Sequence, residues 1–435
     1  MVIPLIKTYK FPLSWLYLAL ILAAGIQQLW HPKELMDTAE YKDAILYIFN
    51  SDTLKLDPHL GRWMYLTRRT LGFPFLVNFL GDTGILLTSL LAAIFSPVVI
   101  SMLLEQNGIK IKNVWFWLFW ISQPLQFFYA ALPMPEMICQ LLVGLWFLFL
   151  LQKQNFLTGL TLGVLILIKP IFIVFLLPLI IVLLLKLGFR KFIFFQRFIR
   201  STSQLFEGLN FNVIVIPIGF IFFIGLFNHS KWGVFHLSSI STTNFYEYNR
   251  YQALSEAEGG EFADSLYELE SIELNQISDF DPEKGELLRA FSTATLWDYP
   301  LVFMKMHLKG MLQMFMDPGR YDAMVFFGWP QTKGFLGLKN GHDDVISRPI
   351  YEWIYIVIFA MLNLIKFVIL VWVSIKILKI GSNQHVHLVF PLCIVIMYAF
   401  AIGSVGTARY LVPIYPLMAY IVNYGISAVR SINQS

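Results

Sequence analysis

The chain has 435 residues, 57% of them hydrophobic and 14% charged, with a mean hydropathy of +0.64, a composition that excludes a soluble domain. It reads as an all-α polytopic membrane protein, since a span needs about 20 mostly apolar residues and the chain has room for about ten. The net charge of +4 gives no reason to expect a nucleic-acid partner. Both cysteines, Cys139 and Cys393, fall inside predicted spans, so no disulfide framework is expected.

Lys7 and Lys10 precede an apolar run at 11–30 that is longer than a signal-peptide core and lacks a polar cleavage region, so it reads as an uncleaved signal anchor. Polar residues return at 31–81. There Asp37, Glu40, Tyr41 and Ala44 fall at i, i+3, i+4 and i+7, which in a helix puts two carboxylates and a phenol on one face. Asp57-Pro58-His59-Leu60 and an amphipathic segment follow, up to Gly81-Asp82. Later spans are predicted at 83–104, 114–132, 134–151, 157–168, 171–185, 212–227, 350–373, 386–403 and 410–426. Lys169-Pro170 divides two short members of this series, and proline disfavours helix at and before itself. Half-length helices meeting at a polar break line a cavity more often than lipid.

Basic residues near span ends are retained in the cytoplasm. The cluster Lys186, Arg190, Lys191, Arg197 and Arg200 is the strongest such signal, and it places both termini inside. The stretch 31–81, Glu136, Lys169, the long loop 229–349 and Arg409 then all emerge on the outer side. That loop carries seventeen acids against ten bases when Asn228 and Pro349 are included, as suits an extracytoplasmic surface. Helical pieces are expected in it at 266–277 and 301–316, the second apolar enough to lie on the membrane. Three regions result: an N-terminal membrane module at 1–228, the loop region at 229–349 and C-terminal membrane helices at 350–435.

Asp37 and Glu40 fit either a solvated helix face or a general base with a neighbour that tunes it. Arg409 offers a fixed bidentate fork to a phosphate, or anchors the interface beside Tyr410. Lys169 suits the same phosphate or snorkels from a helix end. Glu136 follows a proline turn, where its charge favours a helix N-terminus, and it also suits an acceptor or a metal. His59 is a site group or an interfacial histidine. Lys366 lies well inside a predicted span, where charge is costly. Arg320, His342 and Arg348 are further cations of the loop. There is no phosphate-binding Walker loop, dinucleotide fingerprint or zinc-protease motif.

In this order the motifs resemble the GT-C superfamily of membrane glycosyltransferases, including its protein mannosyltransferase and lipid A aminoarabinose transferase types. The likeness rests on the acids of 37-DTAEY-41, the reduced His-Pro-Pro-Leu stretch at 57–60, Gly81-Asp82, Pro135-Glu136, the Gly159 to Lys169-Pro170 span and Ala408-Arg409-Tyr410-Leu411-Val412-Pro413. The chain departs from it in spacing its acids as Asp-x-x-Glu and in lacking part of the proline stretch. The resemblance implies inverting transfer of a sugar from a polyprenyl-phosphate donor to a lipid, glycan or protein acceptor. Asp37 would be the base and Glu40 its partner, with Tyr41, His59, Glu136, Lys169, Arg409 and Tyr410 binding substrate. A divalent metal ion on Asp37, Glu40 or Glu136 would suit hard oxygen ligands, though their spacing does not demand one. The expected location is the inner membrane of a bacterium. Rival classes are a secondary transporter or flippase, which would show paired broken spans in two repeats, and an O-antigen polymerase or ligase, which would use the late loop's arginines and histidines.

Overall fold

In the computed structural model the chain is described at residues 12–49, 68–109, 113–186, 208–277, 282–329, 349–380 and 386–432. It is all-helical there, with no strand among the described residues. Five helices are long and apolar enough to cross a membrane: Pro12–Trp30, Gly72–Gln106, Asn212–Lys231, Ile350–Lys376 and Ala408–Ala428. A sixth results if Leu125–Ala131 and Glu136–Leu151, bent by 111° at their junction, act as one. Asn155–Ile168, Pro170–Leu184 and Leu388–Ile402 are apolar but shorter. At 1.5 Å per residue, a helix of about 14 residues reaches about 21 Å, less than the hydrocarbon core. This accounts for the difference from the ten runs read by hydropathy: several are half-length pieces inside the bundle.

The breaks have local causes. Ser122, Gln123 and Pro124 separate Asn113–Ile121 from Leu125–Ala131. Pro133 and Pro135 lie in the sharp bend before Glu136. Lys169 is extended (φ −140°, ψ 115°) and Pro170 opens a 3-10 turn, Pro170–Phe175, as the proline rule anticipates. Gly81, just ahead of the span expected at 83–104, lies within the helix Gly72–Gln106 as a kink at φ 67°, ψ 176°, a left-sided conformation that glycine adopts without strain.

Packing follows residue size. Gly159 and Gly163, four apart, let Asn155–Ile168 approach Asn212–Trp232 so closely that a Cβ on either would strike the Asn212 carbonyl or the Phe220 ring. This is the close approach that small residues permit between membrane helices. Trp117, Trp120, Trp146, Tyr17 and Tyr415 fill the interior. The helix Ile350–Ile380 turns Ile354, Val357, Ile358, Met361, Ile365 and Val368 outward as a lipid-facing stripe. Lys366 on the same helix does not snorkel. It is 8% exposed and donates to Gln123 Oε1 at 2.6 Å and to the Ser122 carbonyl at 3.1 Å, closing the break before Pro124.

The segment expected as an outer loop folds as helices Ile240–Asn244, Tyr251–Ala257, Gly260–Gln276, Pro282–Asp298, Pro300–Met316 and Arg320–Phe327, with a π turn at Phe245–Arg250. Its small core is built on Arg250, which grips Glu270 at 2.7 and 2.5 Å and lies against the rings of Tyr246, Tyr267 and Phe291. The π turn directs Tyr246 and Arg250 into this core and Phe245 and Asn249 toward the cavity described below.

Candidate active site

The helix Met36–Phe49 turns one face inward, as the spacing implies. Tyr41 is 2% exposed, with its ring edge-on to Phe73 at 4.7 Å and beneath the Arg69 guanidinium at 4.8 Å. Asp37 and Glu40, on the same face, do not face open water. Arg69 reaches Asp37 Oδ1 at 3.0 Å and Glu40 Oε2 at 2.6 Å, and Arg68 holds the other Glu40 oxygen at 2.9 Å. Thr70 then ties this segment to the break at Lys169 by donating to the Ile168 carbonyl at 3.1 Å.

Arg409, 372 residues from Asp37, meets it directly: Nη1 lies 2.6 Å from Asp37 Oδ2. Its Nη2 donates to the Tyr410 hydroxyl at 3.4 Å. Lys169 pairs with Glu136 at 2.6 Å and stands 5.4 Å from the centre of the Tyr410 ring. The distant motifs at 37–41, 136, 169 and 409–410 thus form one cluster. Two buried atoms in it, Arg409 Nε and Glu136 Oε2, have no hydrogen-bond partner among the described residues.

Arg409 is held from behind. Asp317 accepts from the Ala408 amide with Oδ2 and from the Gly319 amide with Oδ1, each at 2.9 Å. Gly406, at φ 37°, lies against Gly310 so closely that a Cβ would overlap its carbonyl. Beyond this clamp the Tyr129 hydroxyl donates to buried Asp322 Oδ1 at 2.6 Å. Burial raises the Asp322 carboxyl, the phenol and the Arg409 charge lower it, and the result is pushed up to about 7.

A cavity of about 590 Å³ adjoins the cluster, with Asp37, Tyr41, Lys169, Arg409 and Tyr410 in its wall. Among the described residues five basic side chains line it, Arg68, Arg69, Lys169, Arg289 and Arg409, against one acid, Asp37. Burial raises the Asp37 carboxyl, but Arg409, Arg69 and Lys169 outweigh it and hold the group below its ordinary range. Burial drives the Tyr41 phenol up to about 12, so it keeps its proton at neutral pH. Arg69 stays charged despite burial because Tyr41, Asp37 and Glu40 surround it.

Not every expected residue joins the site. His59 lies outside the described residues, as do His342 and Arg348. Arg320 pairs with buried Glu352 at 3.1 Å. Asp37, Glu40 and Glu136 do not gather as a ligand set: each faces a guanidinium or an ammonium. Among the described residues no three His, Cys, Asp or Glu side chains form a metal-binding group. Arg68 and Arg69 were legible only as loop charges. Their position just ahead of the apolar run from Gly72 was the available signal. Asp322 and Arg289 had none.

Site and fold together define a membrane-spanning helical protein with a cation-lined cavity at a junction of broken helices. Comparison with protein-family models, curated proteins and solved structures finds no match.

Proposed function

We propose that the protein is an integral membrane glycosyltransferase that moves a sugar from a polyprenyl-phosphate donor to an acceptor, inverting the anomeric centre. The contact between Asp37 and Arg409 carries this reading, because it sets a base and a phosphate-binding fork side by side at the cavity. The apolar lining from Ile171, Ile173, Ile402 and Val405 suits a prenyl chain. In the step, the acceptor oxygen bonds to the anomeric carbon and its proton passes to the Asp37 carboxylate. The bond from that carbon to the phosphate oxygen breaks, its electron pair leaving with the lipid phosphate. Arg409 and Lys169 stabilise the charge that develops there.

Four lining cations, Arg68, Arg69, Lys169 and Arg409, are matched by four carboxylates, Asp37, Glu40, Glu136 and Glu247. A phosphate therefore binds by exchange. It takes the Arg409 fork from Asp37, and the released carboxylate regains basicity as the donor arrives. We place the reaction on the extracytoplasmic side of a bacterial inner membrane with both termini cytoplasmic, as the basic cluster between Lys186 and Arg200 implies. A divalent metal ion is left outside the mechanism, since the three candidate carboxylates are already paired.

A second reading, a flippase for the same anionic lipid, draws on the helix breaks at Gly81 and Lys169. Radiolabelled polyprenyl-phosphate sugars supplied to membranes bearing wild type or Asp37→Asn separate the two. Glycosyl transfer predicts label in an acceptor with wild type and not with the variant. Translocation of intact donor by both, without transfer, favours the flippase.

A further inference from the structure

The cavity lining has two chemical parts. One comes from the membrane helices and their breaks and holds the cluster around Asp37. The other comes from the π turn and its neighbouring helices, and sets Ser241, Thr242, Asn244, Asn249 and Arg289 among the apolar side chains of Leu237, Ile240 and Phe245. Hydroxyls, carboxamides and a guanidinium in one wall suit a polar, oxygen-rich ligand better than a prenyl chain. This wall is held firmly, because the next residue after Asn249 is Arg250, buried against Glu270.

Arg289 differs from the other cations of the cavity. Arg68, Arg69, Lys169 and Arg409 each face at least one carboxylate, whereas Arg289 is exposed on the helix Pro282–Asp298 and makes no ion pair among the described residues. With the deeper charges balanced, it is the cation of the lining that has no ion pair among the described residues. An unpaired guanidinium beside hydroxyl and amide groups is a receptor for an oxyanion on a hydroxylated molecule.

We propose that this wall is the acceptor subsite, and that the acceptor carries an oxyanion, a carboxylate or a phosphate, which Arg289 anchors while neighbouring hydroxyls meet the Ser241 to Asn249 wall. The proposal rests on the glycosyl-transfer reading for the word acceptor; the oxyanion site itself does not. Arg289 sets which molecule is placed before the base and takes no part in the proton transfer.

The test is thermal unfolding of the full chain in detergent, titrated with glucuronate or glycerol phosphate and, as neutral counterparts, glucose or glycerol. The oxyanions are expected to raise the unfolding temperature of wild type and Asp37→Asn, and the neutral compounds are not. Arg289→Ala should raise the half-saturating concentration about tenfold, as the loss of one charge-assisted hydrogen bond at an exposed site implies, and Arg289→Lys should restore part of it. The tighter of the two oxyanions identifies the source as uronate or phosphate. Equal action of charged and neutral compounds, or an Arg289→Ala titration that overlays wild type, overturns the proposal. Label transfer from a polyprenyl-phosphate sugar, measured beside it, must yield a product retained on an anion exchanger. A neutral product removes the anionic acceptor, while no transfer by wild type despite Arg289-dependent stabilisation removes the glycosyl-transfer reading alone.

Discussion

Replacing Arg409 by alanine separates the two roles assigned to the centre of the site. The substitution deletes the 2.6 Å contact to Asp37 and leaves Arg69, at 3.0 Å, as the guanidinium on that carboxylate. A hydrogen bond to a charged group contributes about 1.5–3 kcal/mol, so loss of a two-pronged hold on a departing phosphate removes about 3–4 kcal/mol of transition-state stabilisation. That corresponds to a fall of about 10²–10³-fold in kcat/KM. Arg409→Lys keeps the charge without the fork and should fall between wild type and alanine. The assay is single-turnover transfer of label from a polyprenyl-phosphate sugar in proteoliposomes, with thermal melts to show that each variant is folded.

The pH dependence of the same variant has a defined sign. The Asp37 carboxyl is depressed in the folded chain, so its contribution to stability is present above the unfolded carboxylate value of about 3.9 and lost as pH falls through the folded value. Without Arg409 the carboxyl returns toward its ordinary range. The variant loses part of that contribution, and the acid limb of kcat/KM moves to higher pH. Wild-type transfer by a folded Arg409→Ala protein, or an acid limb that does not move, refutes the assignment of Arg409 and Asp37 to one reacting centre.

Lys169→Met strands the buried Glu136 carboxylate and should cost about 3–5 kcal/mol in chemical unfolding, whereas the double variant Lys169→Met with Glu136→Gln recovers much of it; equal losses would mean that the pair is not coupled. Arg250→Leu leaves Glu270 with the Tyr246 hydroxyl but without its cation in the small core of the helical region and should lower the melting temperature and increase protease cleavage within 240–300, which a partial digest reads. Gly163→Leu drives a side chain into Phe220 and should prevent the close approach of Asn155–Ile168 to Asn212–Trp232, with expression and melting temperature both falling. Lys366→Met leaves the Gln123 amide oxygen and the Ser122 carbonyl without their donor and should destabilise by about 1–3 kcal/mol, while Lys366→Arg should be milder.

Much of the molecule was legible from local pattern. The first span, the break at Lys169-Pro170 and the shared face of Asp37, Glu40 and Tyr41 depend on hydropathy, proline stereochemistry and helical periodicity, which act within a few residues. The same locality hid the number of crossings, because an apolar run marks what avoids water without marking whether it meets lipid or other helices. Pairing was equally out of reach. Nothing near Asp37 in the chain announces Arg409, and Arg68 and Arg69 look like ordinary loop cations until the Thr70 bond to Ile168 draws them over the carboxylates. Charges are shared out by distance in space, and burial multiplies their effect. Sequence by itself therefore determined that the protein is a helical membrane protein with acids and bases at particular helix ends. Only the tertiary structure decided which acid faces which base, and that Arg289 faces none among the described residues.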